Sequence, residues 1–223
     1  MPHRNLVAPV DLASPRDNPS KMLQQPNELM VSQKVTCETP LPDDTTVEII
    51  HSGKWLSFGH INYTDPVHKT RRQWEFVRRN RHTSSTVDAV DILATLTKKD
   101  MPDSIILVAQ YRPAIQQICV EFPAGLIDPE ESVFSAAKRE LLEETGYHSS
   151  ETIYTSSGLF YDAGLSDSNM QLVHIQVDGD SPQNQNPKSQ LELDEWSMET
   201  LVFPLNDLLN SLTGMHFIFQ NSC

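Results

Sequence analysis

From Thr45 the chain reads TVEII, then KWLSFGHINY, a TDP turn and RRQWEFVRR, β-branched and aromatic runs that predict a small antiparallel strand unit. A few strands are not stable alone, so this unit needs a facing layer, from the main domain or from a second copy of the chain. TVDAVDILATL, a turn at KKDMPDS, SIILVAQYR and QICVEF then predict the start of a main sheet. TIYTSSGLFY, NMQLVHIQV and WSMETLVF predict its later strands, and Pro204 opens a short helix ending near Gly214. Strands mixed with about two helices predict an α/β sandwich. Residues 1–36, rich in Pro, Asn, Gln and Ser without periodicity, are expected to form a disordered arm. Between Asp178 and Glu195 runs a polar loop, DGDSPQNQNPKSQLELDE, whose length marks it as either disordered or functional.

The most informative stretch is GLIDPEESVFSAAKRELLEETGY, Gly125 to Tyr147. Ser132 is a good N-cap after the Asp128-Pro129 turn and Gly146 a good left-handed stop, which predicts a helix over about Val133 to Thr145. Val133, Ala136 and Ala137 form a narrow small-apolar stripe, and its continuation lands on Glu140, Glu143 and Glu144. Carboxylates leaning toward a core lose hydration, and in the last turn they oppose the helix dipole. Arg139 and Lys138 neutralise part of this charge. A hard dication would tie Glu140, Glu143, Glu144 and also Glu131 into one site. The plain alternative is a solvated, Glu-rich helix end.

The spacing G-x5-E-x7-R-E-U-x-E-E-x-G-U, where U is a bulky apolar residue, is met by Gly125, Glu131, Arg139, Glu140, Leu141, Glu143, Glu144, Gly146 and Tyr147. It resembles the Nudix box, with Tyr147 where an aliphatic residue is usual. Many fixed positions over this length make the match far more specific than a short glycine motif. The resemblance implies a Nudix α/β/α sandwich that hydrolyses nucleoside diphosphates linked to another group. It implies Mg²⁺ or Mn²⁺ held by Glu140, Glu143, Glu144 and Gly125.

Composition narrows the partners. A chain of 223 residues, 38% hydrophobic and 21% charged, can bury one good core plus a smaller appendage. A formal charge of -13 argues against a nucleic-acid polymer as partner, so a polyanionic substrate must be met locally. Cys37, Cys119 and Cys223 are too scattered for a disulfide framework or a zinc site, which points to a reducing compartment. The first residues lack the apolar core of a signal peptide, and no stretch approaches a membrane span. Cytosol, with or without nucleus, is the expected location. No HExxH or GxSxG element offers a rival chemistry.

A second resemblance covers roughly Gly53 to Leu209. Trp55, the run WEFVRR with Trp74, Glu75 and Arg79, QYRP with Arg112, and EFPAG with Glu121 look like the eukaryotic ADP-sugar pyrophosphatases. These are homodimeric Nudix enzymes. The resemblance implies adenine stacked between Trp55 and Trp74 of different subunits, Arg79 and Arg112 near the phosphates, and Glu121 near the ribose and metal. Glu75 and Leu126 join the substrate-binding set. The implied catalytic residues are Glu195, Glu140, Glu144 and Arg139, with Glu195 chosen over Glu192 and Asp194 because it immediately precedes the last strand. The implied organisation is an arm over 1–36, a β unit for dimerisation and base binding over 37–85, the hydrolase domain over 86–215 and a tail over 216–223. Two features depart from the family: Ala163 stands where a proline is usual, and the chain ends before a longer terminal helix. The expected reaction is ADP-ribose to AMP and ribose 5-phosphate. Alternatives are NADH, coenzyme A or an oxidised nucleotide as substrate, or a non-catalytic ADP-ribose-binding module, whose mark would be a broken acidic core; RELLEE is intact.

Overall fold

A computed structural model describes residues 40–80 and 86–213, so the expected arm and tail lie outside the described residues. β1 (Thr46–Ser52), β2 (Leu56–Thr64) and β3 (Arg71–Arg79) pair in order as an antiparallel sheet. In its register Leu56 stands opposite Arg79, His60 opposite Glu75 and Ile61 opposite Trp74. Alternation therefore puts Glu75, Val77 and Arg79 on one face of β3 and Trp74, Phe76 and Arg78 on the other. The second face is docked. Phe76 is buried, the Trp74 indole N–H donates to the Gly164 carbonyl at 2.9 Å, and Arg78 Nε donates to Asp167 at 2.6 Å. At the strand edge the Val77 amide donates to the Leu165 carbonyl at 2.9 Å. Of the two expected sources of a facing layer, the chain's own main domain supplies this one.

The main sheet contains β4 (Ala89–Thr97), β5 (Ser104–Arg112), β6 (Gln117–Glu121), β7 (Ala124–Leu126), β8 (Glu151–Thr155), β9 (Leu159–Phe160), β10 (Asn169–Asp178) and β11 (Glu199–Pro204). Its path is β11-β5-β4-β10-β8, with β6 on β5, β7 on β4 and β9 on β10. β4 and β10 run parallel, which joins two long apolar strands at the centre. On one face α1 (Val133–Thr145) sets Ala136, Ala137 and Leu141 against Val90, Ile92, Val173 and Ile175. On the other, Ile105, Leu107 and Val120 pack with Leu208 and Leu212 of α2 (Leu208–Leu212). The result is the α/β/α sandwich.

Three local readings are refined. The loop led by Gly125 is itself a strand, β7, because its backbone completes the edge of β4. TIYTSSGLFY breaks into β8 and β9 around Ser156–Gly158. The segment between Asp178 and Glu195 is ordered and packed: Asn184 is fully buried, accepts from the His148 amide at 2.8 Å and donates to the Asp178 carbonyl at 2.8 Å. A single buried amide that bridges two backbone groups replaces the sheet or helix partners a long loop otherwise lacks.

α1 begins and ends as its caps dictate. Ser132 Oγ accepts from the Ser135 amide at 3.1 Å, and Gly146, at φ 74°, donates its amide to the Leu142 carbonyl at 2.9 Å. A side chain at Gly146 would also collide with the Lys188 backbone. Gly146→Ala should therefore lower unfolding free energy by about 1–3 kcal/mol, measured by urea denaturation, whereas Gly158→Ala, with open space around it, should change little. Equal effects of the two substitutions would contradict the strained cap.

Candidate active site

The small-apolar stripe lets α1 approach β7 so closely that any side chain on Gly125 would overlap the Glu140 carboxylate. Glu140 and Glu144, one turn apart, are 8% and 3% exposed. Burial pushes Glu140 up to about 7 against the pull of Arg139, with the charges of Glu143 and Glu195 adding to the rise; burial pushes Glu144 up to about 9, with the charges of Glu140 and Glu195 adding. Glu144 accepts from the Ala124 amide at 3.0 Å. Glu143, one residue short of the turn, falls on the flank and is half-buried. The acidic face expected of three glutamates therefore has two buried members, since a four-residue step turns only about 40° and a three-residue step lags it by about 100°.

Arg139 is the hub of this region. Its guanidinium donates to Glu131 at 2.8 Å, Glu140 at 2.8 Å, Glu143 at 3.0 Å and the Leu126 carbonyl at 3.0 Å. Glu131 is thus a partner of Arg139, placed to aim it. Among the described residues no three His, Cys, Asp or Glu side chains are already set around one metal-sized point. Glu140 is turned to Arg139, and Glu144 to the Ala124 amide. The donor set nevertheless fits a hard dication: two buried oxygen ligands whose charged forms are disfavoured until a cation arrives, beside a glycine that leaves room for them.

Two clefts meet here. One of about 360 Å³ is lined by Gln110, Arg112, Ala124, Glu144, Glu195 and Trp196 among others. The larger, about 440 Å³, is lined by Leu56, Arg79, Arg112, Leu126, Tyr161 and Ser166 among others, and shares Arg112, Ala124 and their junction with the first. Arg112 donates through Nε to the buried Glu121 at 2.9 Å, which holds the guanidinium firmly protonated. Glu195 sits beside Glu144, its Oε2 accepting from the Glu192 amide at 2.8 Å in a short 3₁₀ turn. Glu192 is exposed.

The structure thus brings together Glu140, Glu144, Glu195, Arg112, Glu121, Arg79, Gly125 and Leu126. It does not bring the tryptophans to them. Trp55 is 58% and Trp74 50% exposed, outside both clefts, and strand parity puts Trp74 on the face opposite Arg79. Glu75 is also exposed, with the His60 imidazole at 3.8 Å. Sequence reasoning missed Asp91, Tyr161 and Trp196. Asp91 had one signal, an acid in the middle of an otherwise apolar strand; Tyr161 and Trp196 had none, because their partners are distant in sequence.

Comparisons with known proteins bear on the family and the fold. The NUDIX domain family matches residues 85–218. The ADP-ribose pyrophosphatase of Saccharomyces cerevisiae is 43% identical over 156 residues, 68% of this chain and 67% of the yeast protein. The ADP-sugar pyrophosphatase of Mus musculus is 39% identical over 171 residues, 77% of each chain. The crystal structure of an ADP compounds hydrolase superposes with a TM-score of 0.56 at 21% identity, over 77% of this chain and 85% of that one, a likeness of fold. The chain belongs to the Nudix family. It is a Nudix hydrolase, of a family that generally works with divalent metal ions.

Raised carboxyl pKa values have a consequence for stability. The metal-free fold binds these protons more tightly than the unfolded chain, so their contribution is fully present below about pH 4.5. It is lost as pH rises through about 7 for Glu140 and about 9 for Glu144. In EDTA the melting temperature should fall from about pH 6 to about pH 9, and fall less in Glu144→Gln, which removes one buried charge. Parallel melting curves for the two proteins would remove the buried-charge account.

Proposed function

We propose that this Nudix hydrolase cleaves the diphosphate of an ADP-sugar, with ADP-ribose giving AMP and ribose 5-phosphate. The observation that carries the reading is the pair of buried glutamates beside a double cleft whose two lobes share Arg112. The names of the yeast and mouse relatives, an ADP-ribose pyrophosphatase and an ADP-sugar pyrophosphatase, support the choice of substrate. Glu140 and Glu144, with Gly125 leaving them room, would hold Mg²⁺ or Mn²⁺, and Glu143 would reach it only after release from Arg139. When bound, the metal supplies charge neutralisation at the diphosphate and lowers the pKa of a coordinated water.

The chain's own residues do the rest. Arg112 and Arg79 offer planar forks to phosphate oxygens at the shared wall and in the larger lobe. Glu195, beside Glu144, is placed to take the proton of an attacking water. Arg139 orients Glu140 and offsets its charge. The intact RELLEE core disfavours a non-catalytic module. The scattered cysteines support a reducing compartment, cytosol with or without nucleus, as the expected location. Incubation with Mg²⁺ and a panel of nucleoside diphosphate derivatives, products separated by chromatography, tests the reading. AMP should be released fastest from ADP-ribose, Glu195→Gln should lower kcat by at least about tenfold with little change in KM, and Glu192→Gln should matter less. Turnover of NADH or coenzyme A ahead of every ADP-sugar would overturn the substrate assignment.

The reading extends to a homodimer. Trp55 lies at the turn before β2, whereas Trp74 pairs with Ile61, six residues along that hairpin and about 20 Å away. Two rings so far apart cannot flank one base within a chain, but rings from two chains can. β1 adds an exposed edge carrying Val47, Ile49 and Ile50, which a second copy would cover. Trp74→Ala should raise KM for adenine-containing substrates by about fivefold or more, the stacking scale for single-stranded nucleic acids being about 1–3 kcal/mol per base. Light scattering across a dilution series should show a dimer, and a fully active monomer would remove the shared-site reading.

A further inference from the structure

The larger cleft backs onto a buried acid that the hydrolytic chemistry leaves unused. Asp91, 2% exposed, sits in mid-β4 opposite Ala124 of β7, and its Oδ1 accepts from the Tyr161 hydroxyl at 2.7 Å. Tyr161 is itself part of the cleft wall, with Ala124 and Arg112. The Asp91 carboxylate therefore lies one side chain behind the surface at which Arg112 is presented. Burial disfavours its charge, the Tyr161 bond favours it, Glu121 repels it and Arg112 attracts it. Arg79 and Arg112 both act on the Tyr161 hydroxyl, whose ionisation is pushed far up by burial.

A carboxylate in that position needs a donor. Tyr161 supplies one without moving any cation. Without it, the group that attracts Asp91 from the same wall is Arg112, whose Nε and Nη2 now serve Glu121. A guanidinium has five N–H donors in a rigid fork, so it can turn to a second carboxylate only by reorienting the whole fork. The segment that follows Tyr161 adds a reason for a fixed anchor there, because Gly164, Leu165 and Asp167 hold β3 and with it Arg79.

We propose that Tyr161 is a positioning residue for substrate binding: by satisfying Asp91 it keeps the Arg112 guanidinium on Glu121 at the junction of the two clefts, aimed at the diphosphate. The proposal rests on the reading of Arg112 as a diphosphate-binding residue. It differs from a packing role in one respect. The damage in Tyr161→Phe comes from the Asp91 carboxyl group left without its donor and competing with Glu121 for Arg112, so removing that carboxyl group should repair it.

Four full-length proteins test this: wild type, Tyr161→Phe, Asp91→Asn and the double variant. Each is read by steady-state kinetics with ADP-ribose and Mg²⁺, by thermal melting, and by the NMR signal of Arg112 Nε–H, assigned through its loss in Arg112→Lys. Tyr161→Phe should raise KM by about three- to tenfold, with kcat within about twofold, and should shift the Arg112 signal. The double variant should return KM to within about twofold of wild type and restore the signal. A double variant as impaired as Tyr161→Phe, or an Arg112 signal that never moves, overturns the proposal. Should Tyr161→Phe melt too low for kinetics, the double variant still decides, since a packing role predicts no recovery. If the NMR pattern appears but the wild type cleaves no ADP-sugar, the substrate reading fails while the positioning of Arg112 stands. If the wild type is active and the signal shifts with KM unchanged, the link from Arg112 to the diphosphate is wrong and the proposal falls.

Discussion

Glu140 and Glu144 lie one helical turn apart on the face of α1 that packs against β4 and β7, and their mutual repulsion under burial constrains much of what surrounds them. Arg139 must reach across from the next position to offset Glu140, and Glu131 must in turn aim Arg139. Gly125 must lack a side chain because the Glu140 carboxylate fills that space. Burial makes the charged form of such a pair costly, a cost that protons or a dication would relieve.

The same helix end explains the long segment before β11. The last carbonyls of a helix need partners: the segment brings the Gln190 amide to the Glu143 carbonyl at 2.6 Å, and β11 brings Thr200 Oγ1 to the Glu144 carbonyl at 3.4 Å. With Asn184 buried against His148, the segment is tied down at both ends of its course. Glu195 is then delivered beside Glu144 by a backbone that closes off the helix, so one set of hydrogen bonds serves both the fold and the cleft.

Arg112 joins the two lobes. It leaves the end of β5 at the point where β6 returns, and Glu121 on β6 is buried directly beneath it. A buried carboxylate that fixes an arginine at a cleft junction costs desolvation, and the pairing keeps the cation oriented in return. The small sheet completes the larger lobe through Leu56 and Arg79 and holds its tryptophans away from it.

Much was legible in the chain itself. The limits of α1 followed from Ser132 and Gly146 because caps act within one turn, and the acidic pattern followed from the helical period because both depend only on local spacing. The strands followed from apolar runs for the same reason. Tertiary structure decided what depends on distant residues meeting. Strand parity alone sets Trp74 and Arg79 on opposite faces; tertiary structure chose the Trp74 face as the docked one, through the segment 162–168. It ordered the polar segment around Asn184 and placed Tyr161 on Asp91, seventy positions away in the chain. Those contacts arise from packing two sheets and a helix in three dimensions, and no local period encodes them.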